Sequence, residues 1–324
     1  MKNGKWLALA LVLALLAPAF TFAGGGAEGA KGEKTFAIVY PIVHPFFEPV
    51  TKMAVEYGKT KGVKILTFAP EGTLVNQQIQ IMEDLISKKV NGIALCATDP
   101  VALVPYLNKA VDAGIPTIAF ESDMPESKRQ AFMGTHNYRA GVHLGHVVGR
   151  ELGGKGKMII CTGLPTQLSL NERIRGIKEC LAANYPGVQI VDLQTGQGDP
   201  AMTLNVIEAQ IQAHPDFDVF TSIDATGGPV AVSVWRAKGW KGEKHKIITF
   251  DDMPENLAGI KEGVVNAVIT QTQWTWGPKI VDVLLALNAG KAVINYDDTG
   301  TIEITAKNVD TYRQDKAWVY KFEK

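Results

Sequence analysis

Cysteine is scarce in this chain: its 324 residues hold three, Cys96, Cys161 and Cys180. None lies in a CxxC pair or at metal-ligand spacing from a histidine, so no metal site is encoded by the cysteines. Cys96 falls inside an apolar run and is expected as a buried thiol. A Cys161–Cys180 disulfide stays open if the compartment is oxidising. Charge of one sign is lacking too, with 33 Lys and Arg against 33 Asp and Glu. That balance excludes the basic excess of a nucleic-acid binder, and no charge run marks an anionic-membrane patch. Catalytic signatures are missing: neither GxSxG nor HExxH occurs,. The glycines of "ELGGKGK" (151–157) precede a strand instead of opening a helix, so they do not form a phosphate cradle,. The sequence therefore points away from an enzyme and calls for no cofactor and no metal. His143 and His146 read as ordinary helix residues. No membrane span is expected either, since the apolar run from Trp6 to Ala17 is shorter than the roughly 18 residues a spanning helix needs,.

What is present begins with that same run. Lys2 and Lys5 precede it, Pro18 breaks it, and Thr21–Ala23 offers small residues to a peptidase. Residues 1–23 thus read as a secretory signal peptide, and no cysteine follows to mark a lipoprotein,. An exported or periplasmic chain is expected. Its cleavage near Ala23 removes two lysines and leaves 31 basic against 33 acidic residues. Residues 24–34, "GGGAEGAKGEK", cannot pack a core and read as a flexible leader,.

From residue 35 onward short apolar runs alternate with amphipathic stretches. "TFAIVY" (35–40), "KILTFA" (64–69), "GIALC" (92–96), "PTIAFE" (116–121) and "AFMG" (131–134) read as strands, with helices predicted between them,. The plan repeats in "KMIICTG" (157–163), "VQIVDLQTG" (188–196), "DVFTSID" (218–224), "KIITFDD" (246–252) and "NAVITQ" (266–271). Strands of this kind joined by helices mean parallel sheets with both faces covered. The expected fold class is α/β, with two doubly wound parallel-sheet lobes of similar topology.

In such sheets ligands bind outside the carboxyl ends of the strands. The residues after each strand are therefore the candidate walls of a cleft between lobes: Pro41 to Phe47, Thr98 and Asp99, Glu121 to Asp123, Thr162 to Gln167, Asp224, Asp251, Asp252 and Gln271. They offer carboxylates, amides and aromatic rings. That mixture suits a neutral polyhydroxylated ligand, because acids and amides share hydroxyl hydrogens and aromatic rings lie against C–H faces. The same acids at helix starts can simply cap helices, and Glu121 and Asp251 each admit that reading. Asp252 reads as an exposed loop acid beside a ligand-facing one.

Several segments resemble the ribose-binding-like periplasmic proteins, the type I solute-binding subunits of sugar ABC importers: "FAIVYPIVHPFFEPVTKMAVEYGKTKGVKI", "LISKKVNGIALCATDP", "AGIPTIAFESD", "THNYRAGVHLG", "NERIRGIKECL", "FTSIDATGGPVAVSVWRAKG" and "IITFDDMPENLAGIKEGVVNAVITQ". The resemblance runs in register from about Thr35 to the last helix. It implies hinge strands that join two closing lobes, a 35–135 plus 272–302 lobe and a 136–271 plus 303–324 lobe. It also implies Arg173 and Asp251 as the main ligand contacts, Gln271 as a hinge amide, Glu121 as a first-lobe acid, and Phe46 and Phe47 as an aromatic wall. His44 stands where an amide is usual; Asp99, Asp224 and Gln167 are further candidates. Two departures, Ser122 and Ile223, stand where ribose binders carry arginine and asparagine, and they imply fewer donors and an added apolar side chain. In "TQTQWTWGP" (270–278) Trp276 reads as core, while Trp274 is a candidate contact at the cleft mouth or a hinge-surface residue. The implied activity is capture of a monosaccharide, polyol or furanosyl ligand by a monomer that docks on a membrane permease, with a chemoreceptor or sensor kinase as the alternative partner.

Overall fold

The computed structural model describes residues 33–314 except Thr73, so the expected signal peptide and nearly all of the leader lie outside the described residues. Five strands open the first sheet: β1 (Lys34–Val39), β2 (Val63–Phe68), β3 (Gly92–Leu95), β4 (Thr117–Phe120) and β5 (Phe132–Gly134). Between them run α1 (Glu48–Thr60), α2 (Val75–Ser87) and α3 (Pro100–Asp112), with a 3-10 turn at Pro45–Phe47 before α1. After α4 (Asn137–Glu151) a second sheet is built from β6 (Lys155–Thr162), β7 (Gly187–Thr195), β8 (Val219–Ser222), β9 (Lys246–Phe250) and β10 (Ala267–Thr270). Its helices are α5 (Leu168–Asn184), α6 (Pro200–Ala213), α7 (Gly227–Lys238) and α8 (Pro254–Lys261). The chain then forms α9 (Trp276–Asn288), β11 (Tyr296–Asp298) and β12 (Ile302–Ile304).

The two sheets share one plan. Their orders are β11-β5-β4-β3-β1-β2 and β12-β10-β9-β8-β6-β7. Each core is the 2-1-3-4-5 doubly wound arrangement, as the repeated strand–helix pattern predicts. Central strands β3, β4, β8 and β10 are buried at every residue and β9 at every residue after Lys246, whereas in edge strand β2 only Val63 is buried. Continuous burial is what helices on both faces impose on a central parallel strand. β11 and β12 lie outside the strands expected from the apolar runs. Each is three residues long, and "YDD" carries no apolar alternation. β11 extends the first sheet beside β5, and β12 pairs antiparallel with β10 in the second.

Local chemistry fixes the helix starts. Asp99 and Asp199 each precede a proline at the first helical position, and each carboxylate accepts backbone N–H bonds of its own helix,. Inside the first sheet, Gln78 on α2 is fully buried. Its Nε2 donates to the carbonyls of Tyr40 (2.9 Å) and Cys96 (2.8 Å), and its Oε1 accepts from the Thr98 amide (2.9 Å). That amide ties together the carboxyl ends of β1 and β3, where a binding wall begins. All three cysteines are free and buried, so the disulfide left open for Cys161 and Cys180 is not formed.

α4 and α5 meet through two glycines. A Cβ on Gly141 would sit 2.0 Å from the Arg173 carbonyl oxygen, and one on Gly176 would sit 2.1 Å from that of Tyr138. Only hydrogen fits, so the two backbones touch and Arg173 is held at the contact. Gly141→Ala and Gly176→Ala are each expected to lower the unfolding free energy by about 1–3 kcal/mol through overpacking. Urea unfolding measures this; a change below about 0.5 kcal/mol would contradict the close approach.

Candidate functional site

A cavity of about 70 Å³ lies between the carboxyl ends of the two sheets. One water needs roughly 10–15 Å³ of such space, so several water-sized groups fit. Of the residues expected at the site, Phe46, Phe47, His44 and Glu121 line this cavity from the first sheet's side. Arg173, Gln167, Asp224, Asp251 and Gln271 line it from the second. Asp99 and Trp274 are not among the lining residues. The Asp99 carboxylate is spent on the amides of Val101 (2.9 Å) and Ala102 (3.0 Å), which is the capping role,. Trp274 packs edge-on against Tyr312 and beneath the Arg313 guanidinium, 5.0 Å from its ring centre.

Arg173, 1% exposed on α5, is the centre of a polar network. Its Nη2 donates to Glu121 Oε1 (3.0 Å) and Gln271 Oε1 (2.5 Å), its Nε to Asn137 Oδ1 (2.8 Å), and its Nη1 to the Ile223 carbonyl (3.0 Å). Gln271 Nε2 in turn donates to Asp251 Oδ1 (2.8 Å). Glu121 follows β4 in the first sheet, while Arg173 belongs to a helix of the second, so this buried ion pair spans the cleft. Glu121 Oε2 also accepts from Gln167 Nε2 (2.9 Å), Ser169 Oγ (3.3 Å) and the Cys96 thiol (3.2 Å). Its carboxylate is occupied by the protein, a role the strand-end reading did not foresee.

The two acids at equivalent strand ends share an uncommon backbone. Glu121 has φ 61° and Asp251 has φ 68°, both in the left-handed region. A non-glycine residue there is disfavoured by roughly 1–2 kcal/mol. Their surroundings impose it: the Glu121 amide donates to the Met133 carbonyl (3.2 Å) and that of Asp251 to the Ile269 carbonyl (2.8 Å). Burial pushes the Asp251 carboxyl up to about 7, against the opposing pull of Arg173,. His44 accepts from the Phe46 amide at Nδ1 (3.1 Å), and burial lowers its pKa, so it is neutral with the proton on Nε2, facing Thr226 Oγ1 at 3.4 Å. Phe47 stacks on Tyr40 at 4.6 Å, and Phe46 stands edge-on to Phe47 and Trp276. Trp276 is fully buried, as expected of a core residue.

Three expectations need correction. Ile223 adds no apolar side chain to the cavity; it is fully buried in the second lobe's core, and only its carbonyl serves the site. Asp252 is not an exposed loop acid. It is 6% exposed and accepts from Gln273 Nε2 (2.5 Å), the Tyr312 hydroxyl (2.5 Å) and Arg313 Nη2 (2.8 Å). Ser122 is buried and accepts the Ser169 amide (3.2 Å), so it joins the lobes without facing the cavity. Reasoning from strand ends missed Asn137, whose Nδ2 donates to the Glu121 carbonyl (2.8 Å) while its Oδ1 holds Arg173. It also missed Leu170 and Thr226, which line the cavity from helix starts. The spacing from Gln167 to Leu170 and Arg173 on one helix face was the available signal for Leu170. Among the described residues no group of three or more His, Cys, Asp or Glu side chains is placed to hold a metal, and no helix is long and apolar enough to cross a membrane.

A family model described as a periplasmic binding protein domain matches residues 36–292. The ribose import binding protein of Bacillus subtilis is 24% identical over 245 residues, 75% of this chain and 78% of the relative. The D-ribose/D-allose-binding protein of Pseudomonas aeruginosa is 27% identical over 237 residues, 71% of this chain and 73% of the relative. Among solved structures, an ABC transporter solute-binding protein from Burkholderia graminis in complex with D-arabinose is 33% identical with a TM-score of 0.84, covering 87% of this chain and 98% of that one. These relatives are binding proteins, not enzymes.

Glu121→Gln leaves the Arg173 charge buried without its partner, and the expected cost is about 3–5 kcal/mol in chemical unfolding; an unchanged midpoint would remove the pair from its central place. Asp251 titrates higher in the folded chain than the 3.8 of an ordinary aspartate. The folded state therefore binds the extra proton between about pH 4 and 7, and stability contributed below that window is lost as pH rises through it. In Asp251→Asn that loss should vanish, so the variant's stability should fall less from pH 4 to pH 7 than that of the parent chain.

Proposed function

The chain belongs to the periplasmic binding protein family, and from that premise we propose that it is the exported solute-binding subunit of an ABC importer. It captures a monosaccharide or a related polyol or furanosyl ligand and delivers it to a membrane permease. The observation that carries this reading is the cavity itself: polar side chains from the carboxyl ends of two sheets converge with an aromatic pair on one small space. Most ligand-sized sites of this kind combine apolar walls with a few placed polar groups. Asp251 and Asp224 supply acceptors, held in place by Gln271 and Arg173, His44 adds a neutral imidazole, and Phe46 and Phe47 supply a face for C–H groups,. The relatives named for ribose and allose, and the arabinose-bound solved structure, support the same ligand class. Import appears in the name of the Bacillus relative, which favours delivery to a permease over docking on a chemoreceptor.

The motion this function needs has its pivots where the chain passes between sheets: after β5, after β10 and between β11 and β12. Three such crossings permit rotation of one lobe on the other while each core stays packed. Capture and release then involve no covalent step, and the protein acts as a monomer in the periplasm.

A thermal-shift screen over pentoses, hexoses, deoxy sugars, polyols and furanosyl compounds tests the reading. A ligand at a hundred times its Kd adds about 2.7 kcal/mol of apparent stability. At least one member of the panel should raise the melting temperature, and Asp251→Ala should abolish that rise. A panel without any shift, or a shift retained in the variant, would sink the ligand class or the site respectively.

A further inference from the structure

Resting on the sugar-class reading above, we propose that the ligand carries a basic nitrogen, as an amino-substituted monosaccharide or polyol whose ammonium lies against Asp251. The cavity is rich in unmatched acceptors. Among the described residues that line the cavity, Glu121, Asp224 and Asp251 meet Arg173 as the one Lys or Arg, so three carboxyl groups face one guanidinium. His44, held neutral by burial, does not redress it. Arg173 is moreover occupied: of its five N–H groups four are spent on Glu121, Gln271, Asn137 and Ile223,.

The partners of each acceptor locate the excess. Both Glu121 oxygens are taken by protein donors. Asp251 Oδ1 is taken by Gln271, but its Oδ2 has no hydrogen-bond donor among the described residues, although the residue is 2% exposed. Asp224 Oδ1 accepts from Ser222 Oγ (2.7 Å) and the Gly227 amide (3.4 Å) at the start of α7, and its Oδ2 has no hydrogen-bond donor among the described residues. Gln167 is independent of the acids and points the same way. It is 7% exposed, its Nε2 is engaged, and its Oε1 is an acceptor without a donor on the cavity wall. A buried polar group left unmatched is costly, and an unmatched carboxylate more so. An ammonium brings three donors and a positive charge and has no lone pair to satisfy. A hydroxyl brings one donor and leaves the charge excess in place.

The test is calorimetric titration of the full chain with matched triplets at pH 7: a neutral sugar or cyclitol, its amino derivative, and the N-acetylated form, which keeps the nitrogen and removes the charge. Glucose with glucosamine, galactose with galactosamine and inositol with an inosamine form the panel. In at least one triplet the amino member should bind tenfold or more tighter than both others. Asp251→Asn should bring all three within about threefold of one another; if that variant does not fold, Asp224→Asn should reduce the preference severalfold. Neutral members that bind as tightly as amino members overturn the proposal and leave the sugar-class reading standing. A panel in which nothing binds overturns it too, and, together with an empty thermal-shift screen, overturns the sugar class as well.

Discussion

One buried ion pair holds the rest in place. Arg173 and Glu121 come from opposite sides of the cleft, are both almost fully buried, and bond at 3.0 Å. Taking two charges out of water is expensive unless their remaining donors and acceptors are met. The surroundings meet that demand almost completely, through Asn137, Gln271, Gln167, Ser169 and a backbone carbonyl. Each of these is in turn fixed by a strand end or a helix start. The wall of the cavity is thus a by-product of satisfying one guanidinium. It also explains the close approach of α4 and α5, since a larger residue than glycine at 141 or 176 would push Arg173 away from its partner.

The same logic accounts for the strained backbone. Glu121 and Asp251 occupy matching places in two sheets of the same order, and both adopt positive φ. Turning the chain sharply at the strand end aims the carboxylate across the carboxyl edge instead of along the following loop. Repetition of an unfavourable conformation at equivalent points of two lobes argues that the direction of these side chains is what the local fold is built to deliver.

Much of this was legible in the residues. Short apolar runs marked every strand from β1 to β10, and "PTIAFE" and "KIITFDD" each end in acids that the structure places at equivalent strand ends. Asp-Pro at 99–100 and 199–200 is a local helix-start pattern, and two helices begin there,. Less legible was which acid serves the protein and which faces the cavity. Asp99, Glu121, Asp251 and Asp252 look alike in sequence, since each is an acid just past a strand. Their fates diverge because of partners far along the chain: Asp99 meets its own helix, Glu121 meets Arg173, and Asp252 meets Arg313. Such pairings depend on the packing of two lobes, which no local pattern encodes. β11 and β12 were hidden for a related reason, because three-residue strands draw their stability from the sheet they join.

Adjacent acids and nearby amides are wired in parallel at the second lobe. Asp251 bonds Gln271 and Asp252 bonds Gln273, with Thr272 between the amides at φ 60°. Gln273 is followed by Trp274, whose indole rests against Tyr312 and Arg313, both partners of Asp252. The residue pair that faces the cavity and the ring at the chain crossing therefore share two short covalent links. The indole of Trp274 thus lies outside the cavity yet against the two groups that hold Asp252, the neighbour of the cavity-facing acid.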